Sequence, residues 1–500
     1  MKRVKKINIH KSTCVEGING KILKDALLIT YVQLTHIFNL IICKGVIPSA
    51  WKSSVVVPLH KGGVKHDLNN YRPISLLPTP VKIFEKLMCI KVTDFLENNK
   101  LFSVEQGGFR RGKSTFDTIF KLLDFSYEHL NSRHPTHLIF YDLKKAFDTV
   151  DHGLLLEKLD KLHLSNIKPL IKNYPKNRKQ ITLVNGIKSK EIDITCGVPQ
   201  GSILGPLLFL LFINDLPSVI KGSKLKLYAD DAVLYTANKD LDVTHKQQLK
   251  NNNNIIKWCN KNKLTLNAKK TECMWLKGNL KLDTEDFPIS IYDQDIKYVN
   301  NFKYLGLHID TTLNFSKHLD VLESKIVRQI HLLSRCRRYL TTDQSIFLFK
   351  TLVLPIFDYV DIFHGSGNKD SLDHLQVLQN NCLRNCYKRN KWPGTIKAHT
   401  MNGLMFLEDR RTLHLAQQGL NFSQDKKRLR CFNFFSRRSD KYLLEIYRSH
   451  YKVIDKSAPH RIVNTWNNLP NFLRNFRIKN LLANILPTVL WAIRLKDHPP

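Results

Sequence analysis

The sequence of 500 residues predicts an α+β fold, because it mixes short apolar runs with longer segments of helical periodicity. The apolar runs have the length of strands; they are residues 55–59, 137–142, 225–228, 232–236 and 302–309. Apolar residues at helical spacing predict helices over residues 18–44, 81–98, 115–131, 205–212 and, with breaks near Pro355 and at 365–368, over 318–417. A helix is also expected directly after residue 142. From about residue 418 the sequence is basic and aromatic, with short helical pieces.

Lysine and arginine outnumber the acidic residues by 78 to 43, which gives a formal net charge of +35. Such an excess repels itself unless a polyanion neutralises it, so nucleic acid is the expected partner. Because the excess is spread along the chain, it predicts a long binding track rather than one basic tail. An anionic membrane surface is the alternative partner.

Neither the cysteines nor the apolar segments indicate a secreted or membrane protein. The ten cysteines have no spacing typical of a disulfide framework, so we expect no disulfides and an intracellular protein. Cys382, Cys386 and His399 are too few ligands for a zinc site, and two thiols on one helix face are the simpler interpretation. Residues 26–43 lack charged side chains, but polar residues interrupt them, which favours an amphipathic core helix over a membrane span.

Two adjacent carboxylates, Asp230 and Asp231, lie between the predicted strands 225–228 and 232–236. A turn normally combines aspartate with glycine or asparagine, yet alanine flanks this pair on both sides. Adjacent carboxylates at a buried edge repel each other and raise each other's pKa unless a cation neutralises them. The pair therefore favours a metal site, with a plain turn as the alternative.

A third carboxylate, Asp142, ends the apolar strand 137–142. If this strand neighbours the other two in one sheet, Asp142 faces Asp230 and Asp231. Three carboxylates at one sheet edge form a hard-oxygen site that suits two Mg²⁺ ions, with Mn²⁺ as a substitute. Taken alone, Asp142 could instead be a helix N-cap.

Seven motifs resemble those of the reverse transcriptases, and they follow one another in the same order as in that family. The most characteristic is Tyr-Ala-Asp-Asp at residues 228–231, and the first acidic motif is Tyr-Asp-Leu-Lys-Lys-Ala-Phe-Asp-Thr-Val-Asp-His at 141–152. The other five are residues 57–63 with 70–77, residues 106–115, residues 197–209 with 213–217, residues 266–271 and residues 302–307. Their wording is similar to that of jockey- and CR1-like LINE elements, which are non-LTR retrotransposons.

The resemblance implies a right-hand polymerase of fingers, palm and thumb with a helical, basic C-terminal extension. Its expected divisions are an N-terminal finger extension (1–50), fingers and palm (51–310), a helical thumb-like region (311–417) and a basic, aromatic C-terminal region (418–500). The implied activity is RNA-directed DNA synthesis: two-metal nucleotidyl transfer from a dNTP to a primer 3′-hydroxyl on an RNA template. The implied partners are the RNA template, a DNA primer or target site and dNTPs, in the nucleus and cytoplasm. An autonomous element carries an endonuclease ahead of the polymerase, so we expect this chain to lack that domain, as a truncated copy or partial product.

The resemblance also implies a role for each matched residue. Asp142, Asp230, Asp231 and the Leu143 backbone carbonyl would hold the metals, and Lys270 would protonate the pyrophosphate. The nucleotide-binding residues would be Lys61 and Arg72 at the triphosphate, Gln200 and Gly201 at the nucleotide and template, and Phe147 as a steric gate against the ribose 2′-hydroxyl. Tyr304, Leu305 and Gly306 would form the primer grip. The alternative interpretation of Lys61 and Lys270 is a plain surface charge, and the alternative interpretation of Phe147 is a core aromatic. Asp148 and Asp151 are expected to act as helix caps or to form ion pairs.

Two questions stay open at this stage. The sequence departs from the family pattern at residues 14–17, at Gly107 and at Pro175, and a catalytically inactive, nucleic-acid-binding remnant is the alternative to an active polymerase. The C-terminal region either binds nucleic acid, with rings stacking on bases and arginines on phosphates, or packs on the thumb. The residues concerned are Phe432, Phe434, Phe435, Tyr442, Tyr447, Tyr451 and Trp466, interleaved with Arg428, Arg430, Arg437, Arg438 and Arg448.

Overall fold

The computed structural model describes residues 20–282, 287–387, 391–424, 444, 449–474, 485–488 and 490, and their mixture of helices and strands is consistent with the predicted α+β class. The helices are α1 (Gly20–Asp25), α2 (Leu27–Lys44), α3 (Thr79–Asn98), α4 (Thr115–Asn131), α5 (His152–Lys161), α6 (Lys168–Asn173), α7 (Gly205–Ile213), α8 (Leu241–Lys261), α9 (Ser316–Cys336), α10 (Thr342–Leu348), α11 (Leu354–Asp358), α12 (Asp361–His364), α13 (Lys369–Cys386), α14 (Thr395–Met401), α15 (Leu407–Gln424), α16 (Lys452–Asp455), α17 (Ala458–Asn467) and α18 (Asn471–Arg474). The strands are β1 (Ser53–His60), β2 (Tyr71–Leu76), β3 (Thr136–Tyr141), β4 (Arg178–Val184), β5 (Ile187–Lys188), β6 (Ile192–Ile194), β7 (Lys224–Tyr228), β8 (Asp231–Ala237), β9 (Glu272–Leu276), β10 (Ser290–Ile291), β11 (Gln294–Asp295), β12 (Lys297–Tyr298), β13 (Asn301–Tyr304) and β14 (Leu307–Asp310).

A five-stranded sheet, which we call the central sheet, has the order β12-β9-β3-β8-β7. Its middle strand β3 is buried at every residue, because both faces of the sheet are covered. β3 runs antiparallel to β8, and the register places Tyr141 opposite Ala232. β7 and β8 form a hairpin in which Tyr228 pairs with Asp231. The expectation that the strand before Asp142 neighbours the acidic hairpin is therefore confirmed.

The side chains of alternate β3 residues point into two separate hydrophobic cores, because successive side chains of a strand lie on opposite faces of the sheet. Ile139 and Tyr141 point into a first core that is filled by α3, α5, α7 and α8. Leu138 and Phe140 point into a second core that is filled by α4, the β13–β14 hairpin, α15 and α17. The central sheet is thus held from both sides, and the loops at its edge project from a rigid base.

A second sheet, which we call the outer sheet, consists of β1, β2, β4, β5 and β6. β1 and β2 form an antiparallel hairpin with His60 opposite Tyr71. β1 also pairs in parallel with β4, which in turn pairs with β5 and β6. The β1–β2 hairpin carries Lys61 just beyond β1 and Arg72 within β2.

The helices α9, α10, α11, α13 and α14 form a third core around the buried residues Leu322, Ile326, Phe349 and Leu383, whereas Ile362 and Phe363 of α12 lie in the second core. A π-helical segment, Phe349–Val353, joins α10 to α11 next to Pro355. The helix α15 then runs across the expected division at residue 417, since it extends from Leu407 to Gln424. Beyond it, α17 packs into the second core with the face of the central sheet that carries Leu138 and Phe140, and its Trp466 has no exposed surface.

Several local expectations were wrong. Residues 302–309 form a hairpin rather than one strand, because Leu305 and Gly306 adopt positive φ angles of 46° and 88° and turn the chain. The residues directly after Asp142 are turns, and the helix α5 begins only at His152. The helix α2 is an exposed helix with a narrow buried stripe at Phe38 and Ile41 rather than a core helix.

No helix in the described residues is long and apolar enough to cross a membrane. Every cysteine in the described part of the chain is free. Cys382 and Cys386 are buried on one face of α13, as expected, and His399 bonds to Asn380 instead of to a thiol.

Candidate active site

The strand register gathers the three acidic residues of the sequence prediction at one edge of the central sheet. Since Tyr141 pairs with Ala232, the next residue, Asp142, comes beside Asp231. Asp230 sits at the tip of the β7–β8 turn, after Ala229, whose φ of 57° is left-handed. Only a short turn fits between two strands that pair up to Tyr228 and Asp231, so both acids are presented at its end.

Repulsion and burial make this cluster unfavourable for negative charge. Burial raises the pKa of Asp230, and the Asp142 carboxylate raises it further, while Arg72 lowers it. The Asp231 side chain is open to solvent on one side, yet desolvation, then Asp230 and then Asp142 raise its pKa to about 6. A cation between these groups would relieve the repulsion.

Asp142 is held in place by the segment before β9. The Asn267 side chain donates from Nδ2 to Asp142 Oδ2 at 2.8 Å, and the Asn267 backbone N–H donates to the Asp142 carbonyl at 2.8 Å. The Asp142 N–H donates to Thr271 Oγ1 at 3.3 Å. Leu143 forms a β-bridge with Leu266 in the same segment. This segment belongs to a matched motif in which a role was expected only for Lys270, and Lys270 is exposed in the turn before β9.

The donor set is suited to a hard cation, although the protein does not enclose one. Among the described residues no three His, Cys, Asp or Glu side chains are arranged so that they could hold a metal ion by themselves. Mg²⁺ does not require such a cage, because it usually binds one or two carboxylates together with substrate phosphates and water. Asp142, Asp230 and Asp231, with the Leu143 backbone, fit that mode of binding.

The two basic residues expected at the triphosphate lie on the outer sheet. Arg72 is exposed on β2, and its charge reaches the site, since it lowers the pKa of Asp230. Lys61 is exposed too, and its Nζ donates to the Asn69 carbonyl at 3.3 Å. Arg72 is therefore close to the carboxylates, and Lys61 occupies the hairpin turn beyond it.

The loop from Gly197 to Leu204 crosses between the two sheets and is fixed at several points. The Gln200 side chain donates from Nε2 to Asp148 Oδ1 at 2.8 Å. The Gln200 carbonyl accepts the Ser75 N–H at 2.6 Å. Gly201 has a φ of 109°, and a methyl group there would come within 2.7 Å of the Ser75 carbonyl oxygen, so the position requires glycine. Asp148, expected to cap or pair, instead binds Gln200, whereas Asp151 caps α5 and pairs with Lys263 as expected.

Glu85, which was not predicted as a site residue, anchors the other end of this loop. Glu85 is fully buried on α3, and its Oε2 accepts the Ser202 hydroxyl at 3.0 Å and the Ile203 N–H at 2.7 Å. Its Oε1 accepts the Tyr174 hydroxyl at 2.5 Å. A signal was present, because Glu85 falls four residues after Val81 and so on the apolar face of the helix.

Phe147 lies in the turns after Asp142 and is partly buried. Its ring stacks on Phe209 of α7, with centroids 4.6 Å apart and an interplanar angle of 27°. The Phe147 carbonyl accepts the Val198 N–H at 2.8 Å, which ties the residue to the Gln200 loop. The ring therefore packs on α7, while the Phe147 backbone is joined to that loop.

The residues expected to form a primer grip make up the β13–β14 hairpin. Tyr304 is buried against Phe140, and its hydroxyl has no hydrogen-bond partner among the described residues. Burial raises the Tyr304 pKa far above its ordinary value, and Asp231 raises it further. The Leu305 carbonyl accepts the Tyr359 hydroxyl at 2.5 Å. Tyr304 thus packs beneath the site, and Tyr359 covers the partly buried Leu305–Gly306 turn.

Comparison with known proteins decides the family. A family model described as reverse transcriptase (RNA-dependent DNA polymerase) matches residues 60–309, which is half of the chain. The chain belongs to the reverse transcriptase family. The match covers Asp142, Asp230 and Asp231 and ends within β14, so the helices from α9 onward lie beyond it.

Named relatives of this reverse transcriptase come from Drosophila melanogaster retroelements. A probable RNA-directed DNA polymerase from transposon BS is 28% identical over 395 residues, which are 76% of this chain and 43% of the relative. The RNA-directed DNA polymerase from mobile element jockey is 28% identical over 364 residues, 70% of this chain and 39% of the relative. The chain spans less than half the length of these curated relatives. They confirm the expected similarity to jockey-like non-LTR elements.

The C-terminal part of this reverse transcriptase is described only in pieces. Most of the aromatic and arginine residues proposed to bind nucleic acid lie outside the described residues, namely Phe432, Phe434, Phe435, Tyr442, Tyr447, Arg428, Arg430, Arg437, Arg438 and Arg448, as do residues 14–17. Trp466 is fully buried in the second core and cannot stack on a base. The Tyr451 hydroxyl accepts Arg133 Nε at 2.5 Å, which joins it to the end of α4. The described C-terminal residues therefore pack against the rest of the chain.

Proposed function

We propose that this chain is an RNA-directed DNA polymerase of a non-LTR retrotransposon, which transfers a nucleotide from a dNTP to a primer 3′-hydroxyl on an RNA template. In this proposal the fold is a right hand: the central sheet is the palm, the outer sheet belongs to the fingers, and α9–α14 form the thumb. The first 50 residues would extend the fingers, and the described residues after 417 would belong to a C-terminal extension that packs beneath the palm.

The observation that carries the proposal is the register between β3 and β8, which brings Asp142 beside Asp231 and the turn of Asp230. These acids come from two strands that are about ninety residues apart in the chain, and a packed sheet holds them on one edge. No structural need for three mutually repelling carboxylates is apparent, since burial and repulsion raise the pKa values of Asp230 and Asp231. Such a cluster is typical of a site that holds divalent cations.

Two Mg²⁺ ions, or Mn²⁺ in their place, would lower the pKa of the primer hydroxyl and neutralise the leaving pyrophosphate. Asp142, Asp230 and the Leu143 carbonyl would hold them, with Asp231 as a further ligand. Asn267 would keep the Asp142 carboxylate turned toward them, because it bonds one of its two oxygens.

The remaining residues of the site would handle the nucleotide and the primer. Arg72 and Lys61 would neutralise the triphosphate, and the Gln200–Gly201 loop would lie against the nucleotide and template. Phe147 would leave no room for a ribose 2′-hydroxyl. Lys270 would donate a proton to the pyrophosphate, and the Tyr304–Leu305–Gly306 hairpin would support the primer end.

The partners follow from this chemistry and from the charge. An RNA template, a DNA primer or target site and dNTPs are the expected substrates, and a net charge of +35 suits a long nucleic-acid track. We also propose that the protein acts in the nucleus, after synthesis in the cytoplasm, because the DNA target lies there.

Primer extension on an RNA template tests the proposal. The wild-type chain should extend a DNA primer in Mg²⁺, and Asp142→Ala, Asp230→Ala and Asp231→Ala should each abolish synthesis while RNA binding is kept, because these acids serve metals rather than phosphates. A wild-type protein that binds RNA but extends nothing would instead support the inactive, nucleic-acid-binding remnant. Near-wild-type synthesis by two of the three variants would show that the site is assigned wrongly.

A further inference from the structure

The segment Gln106-Gly107-Gly108, which matches a family motif but has no role in the proposed chemistry, lies directly against the acidic turn. Gln106 forms a parallel β-bridge with Leu227 of β7. The Gly107 N–H donates to the Leu227 carbonyl at 2.8 Å, and the Leu227 N–H donates to the Glu105 carbonyl at 3.0 Å. The segment thus covers the free edge of the central sheet just before Asp230.

The Gln106 side chain binds both polar backbone groups of Ala229, the residue that precedes Asp230. Its Oε1 accepts the Ala229 N–H at 2.9 Å, and its Nε2 donates to the Ala229 carbonyl at 3.4 Å. The same oxygen also accepts the Gly108 N–H at 2.8 Å, which fixes the direction of the amide. Gln106 is only 2% exposed, so water does not compete for these bonds.

Ala229 needs such support, because its φ of 57° is unfavourable for a residue with a side chain. A strained conformation of this kind persists only where the surroundings hold it. Gly108 contributes from the other side: a methyl group there would come within 2.3 Å of the Ala229 nitrogen, so only glycine allows the two backbones to touch. The turn that presents Asp230 and Asp231 is therefore held by Gln106 and by close backbone contact.

We propose that Gln106 is a positioning residue, which fixes the Ala229 backbone so that Asp230 and Asp231 are presented in the geometry that binds divalent metal. This rests on the proposed function, since it assumes that these acids bind metal. Groups that orient metal ligands from behind typically change metal affinity by about 10–100-fold when they are removed.

The test compares Gln106→Met with Gln379→Met. Methionine keeps the length and much of the volume of glutamine but makes no comparable hydrogen bonds. Gln379 is a matched control because it is also fully buried and donates to the Met405 carbonyl at 3.1 Å, on α13 and away from the acidic turn. Mn²⁺ binding is measured by electron paramagnetic resonance on a stalled complex of protein, RNA template, dideoxy-terminated primer and the next dNTP.

We expect Gln106→Met to bind Mn²⁺ at least about tenfold more weakly than wild type, with unchanged affinity for the template and primer. In extension assays with an ordinary primer, the Mg²⁺ concentration for half-maximal rate should rise by a similar factor. Gln379→Met should match wild type in both measurements. Gln106→Asn, whose amide is withdrawn by about 1.5 Å, should behave as Gln106→Met does and replaces it if the methionine variant does not fold.

Equal Mn²⁺ affinity in wild type and a folded Gln106 variant would overturn the inference. Loss of template binding together with Mn²⁺ binding, or failure of both Gln106 variants to fold, would overturn it as well, because the role would then be structural. The proposed function is judged separately, by whether wild type extends the primer at all and whether Asp230→Ala abolishes Mn²⁺ binding.

Discussion

At the scale of single residues, the acidic edge of the central sheet is a balance between repulsion and the groups that oppose it. Asp142, Asp230 and Asp231 repel one another, while Arg72 and Asn267 stabilise individual carboxylates by charge and by hydrogen bonding. The balance is incomplete, since the pKa of Asp231 is still raised to about 6. Without a bound cation, the cluster therefore lowers the stability of the folded protein at neutral pH.

Asp231→Asn should stabilise the metal-free protein, and the gain should depend on pH. The folded-state pKa of Asp231 is raised from 3.8 to about 6, so the folded protein holds this proton more tightly than the unfolded chain does. Wild-type stability relative to the variant should therefore fall as pH rises from 3.8 to about 6, and the two should be equally stable below that window. Thermal unfolding in a chelator across this range measures the difference.

The exposed acid Asp94 offers a control for this experiment, because it pairs with Arg111 only at 4.0 Å. Asp94→Asn should show no gain above pH 6, and added Mg²⁺ should reduce the gain of Asp231→Asn. An Asp231→Asn protein that is less stable than wild type at neutral pH without metal would contradict the electrostatic account.

Phe147→Val should admit ribonucleotides. The ring packs on Phe209, and the Phe147 backbone is bonded to the loop of Gln200. In the proposed site the ring would lie beside the incoming sugar, and a smaller side chain would leave room for one oxygen atom. The change also removes packing on Phe209, and deletion of a fully buried phenylalanine side chain costs about 3–5 kcal/mol. The ratio of ribonucleotide to deoxynucleotide incorporation is the measurement, because a ratio does not depend on the fraction of folded protein. An unchanged ratio in an active variant would make Phe147 a core aromatic only.

Residue chemistry explains which members of the site could be predicted. Asp142, Asp230 and Asp231 stand out because carboxylates interrupt or end apolar runs. Gln106 and Asn267 do not stand out, since neutral amides are common in loops and their partners are backbone groups or residues far away in the chain. Their contribution depends on three-dimensional contacts that no local pattern reports.

At the scale of secondary-structure elements, the site depends on a loop that is fixed by elements from both sheets. The loop 197–204 is bound by Ser75 at the end of β2, by Asp148 in the turns after β3 and by Glu85 of α3. Each anchor comes from a different element, so the position of Gln200 and Gly201 depends on how the two sheets are placed relative to each other.

Glu85→Gln should weaken nucleotide binding and lower stability. The Glu85 carboxylate accepts four hydrogen bonds, one from the Tyr174 hydroxyl and three from groups of this loop. An amide nitrogen in place of one carboxylate oxygen cannot accept a hydrogen bond. An unsatisfied buried group costs about 1–3 kcal/mol. We expect a higher KM for dNTP with a smaller change in kcat, measured by steady-state single-nucleotide incorporation. Asp94→Asn on the same helix is the control, and equal KM values for wild type and Glu85→Gln would refute the anchoring role.

Elements with strong apolar patterns were predictable, and those defined by pairing were not. Strands β3, β7 and β8 and the helices α3 and α4 were expected at nearly their observed positions, because buried strands and amphipathic helices have clear periodicity. Strands β4, β5 and β6 were not expected, since β4 is mostly half-buried, β5 and β6 are short and mostly exposed, and charged residues interrupt the apolar pattern of all three. The sequence predicts one strand where the β13–β14 hairpin lies, because the turn contains Leu305 and leucine rarely adopts a positive φ.

At the scale of the whole molecule, the described C-terminal residues belong to the core beneath the central sheet. Trp466 of α17 packs on Gly419 of α15, where a methyl group would come within 2.7 Å of the tryptophan Cβ. Ile462 and Val463 are buried in the same core as Leu138 and Phe140 of β3. This part of the chain therefore supports the sheet that carries the acidic residues.

Truncation after residue 417 should destabilise the remaining protein, because it cuts α15 and removes α17 from the second core. Trp466→Ala should have a milder effect of the same kind and cost about 3–5 kcal/mol. Tyr339→Ala is the control, because Tyr339 is 84% exposed. Chemical denaturation of the point variants and the solubility of the truncated chain measure these effects. A truncated protein that is well folded and extends primers but has lost template affinity would show that the region binds nucleic acid instead.

In the proposed function, Asp142, Asp230 and Asp231 at the edge of the central sheet carry out metal-dependent DNA synthesis on RNA. The most direct test is the single-turnover rate of one dNTP addition, with protein in excess over a primer annealed to RNA, for wild type and Asp230→Asn. Asparagine keeps the shape of the side chain but removes its charge. We predict rapid Mg²⁺-dependent incorporation of the nucleotide by wild type and no incorporation above background by Asp230→Asn, with equal binding of primer and template. Equal rates for the two proteins would contradict it.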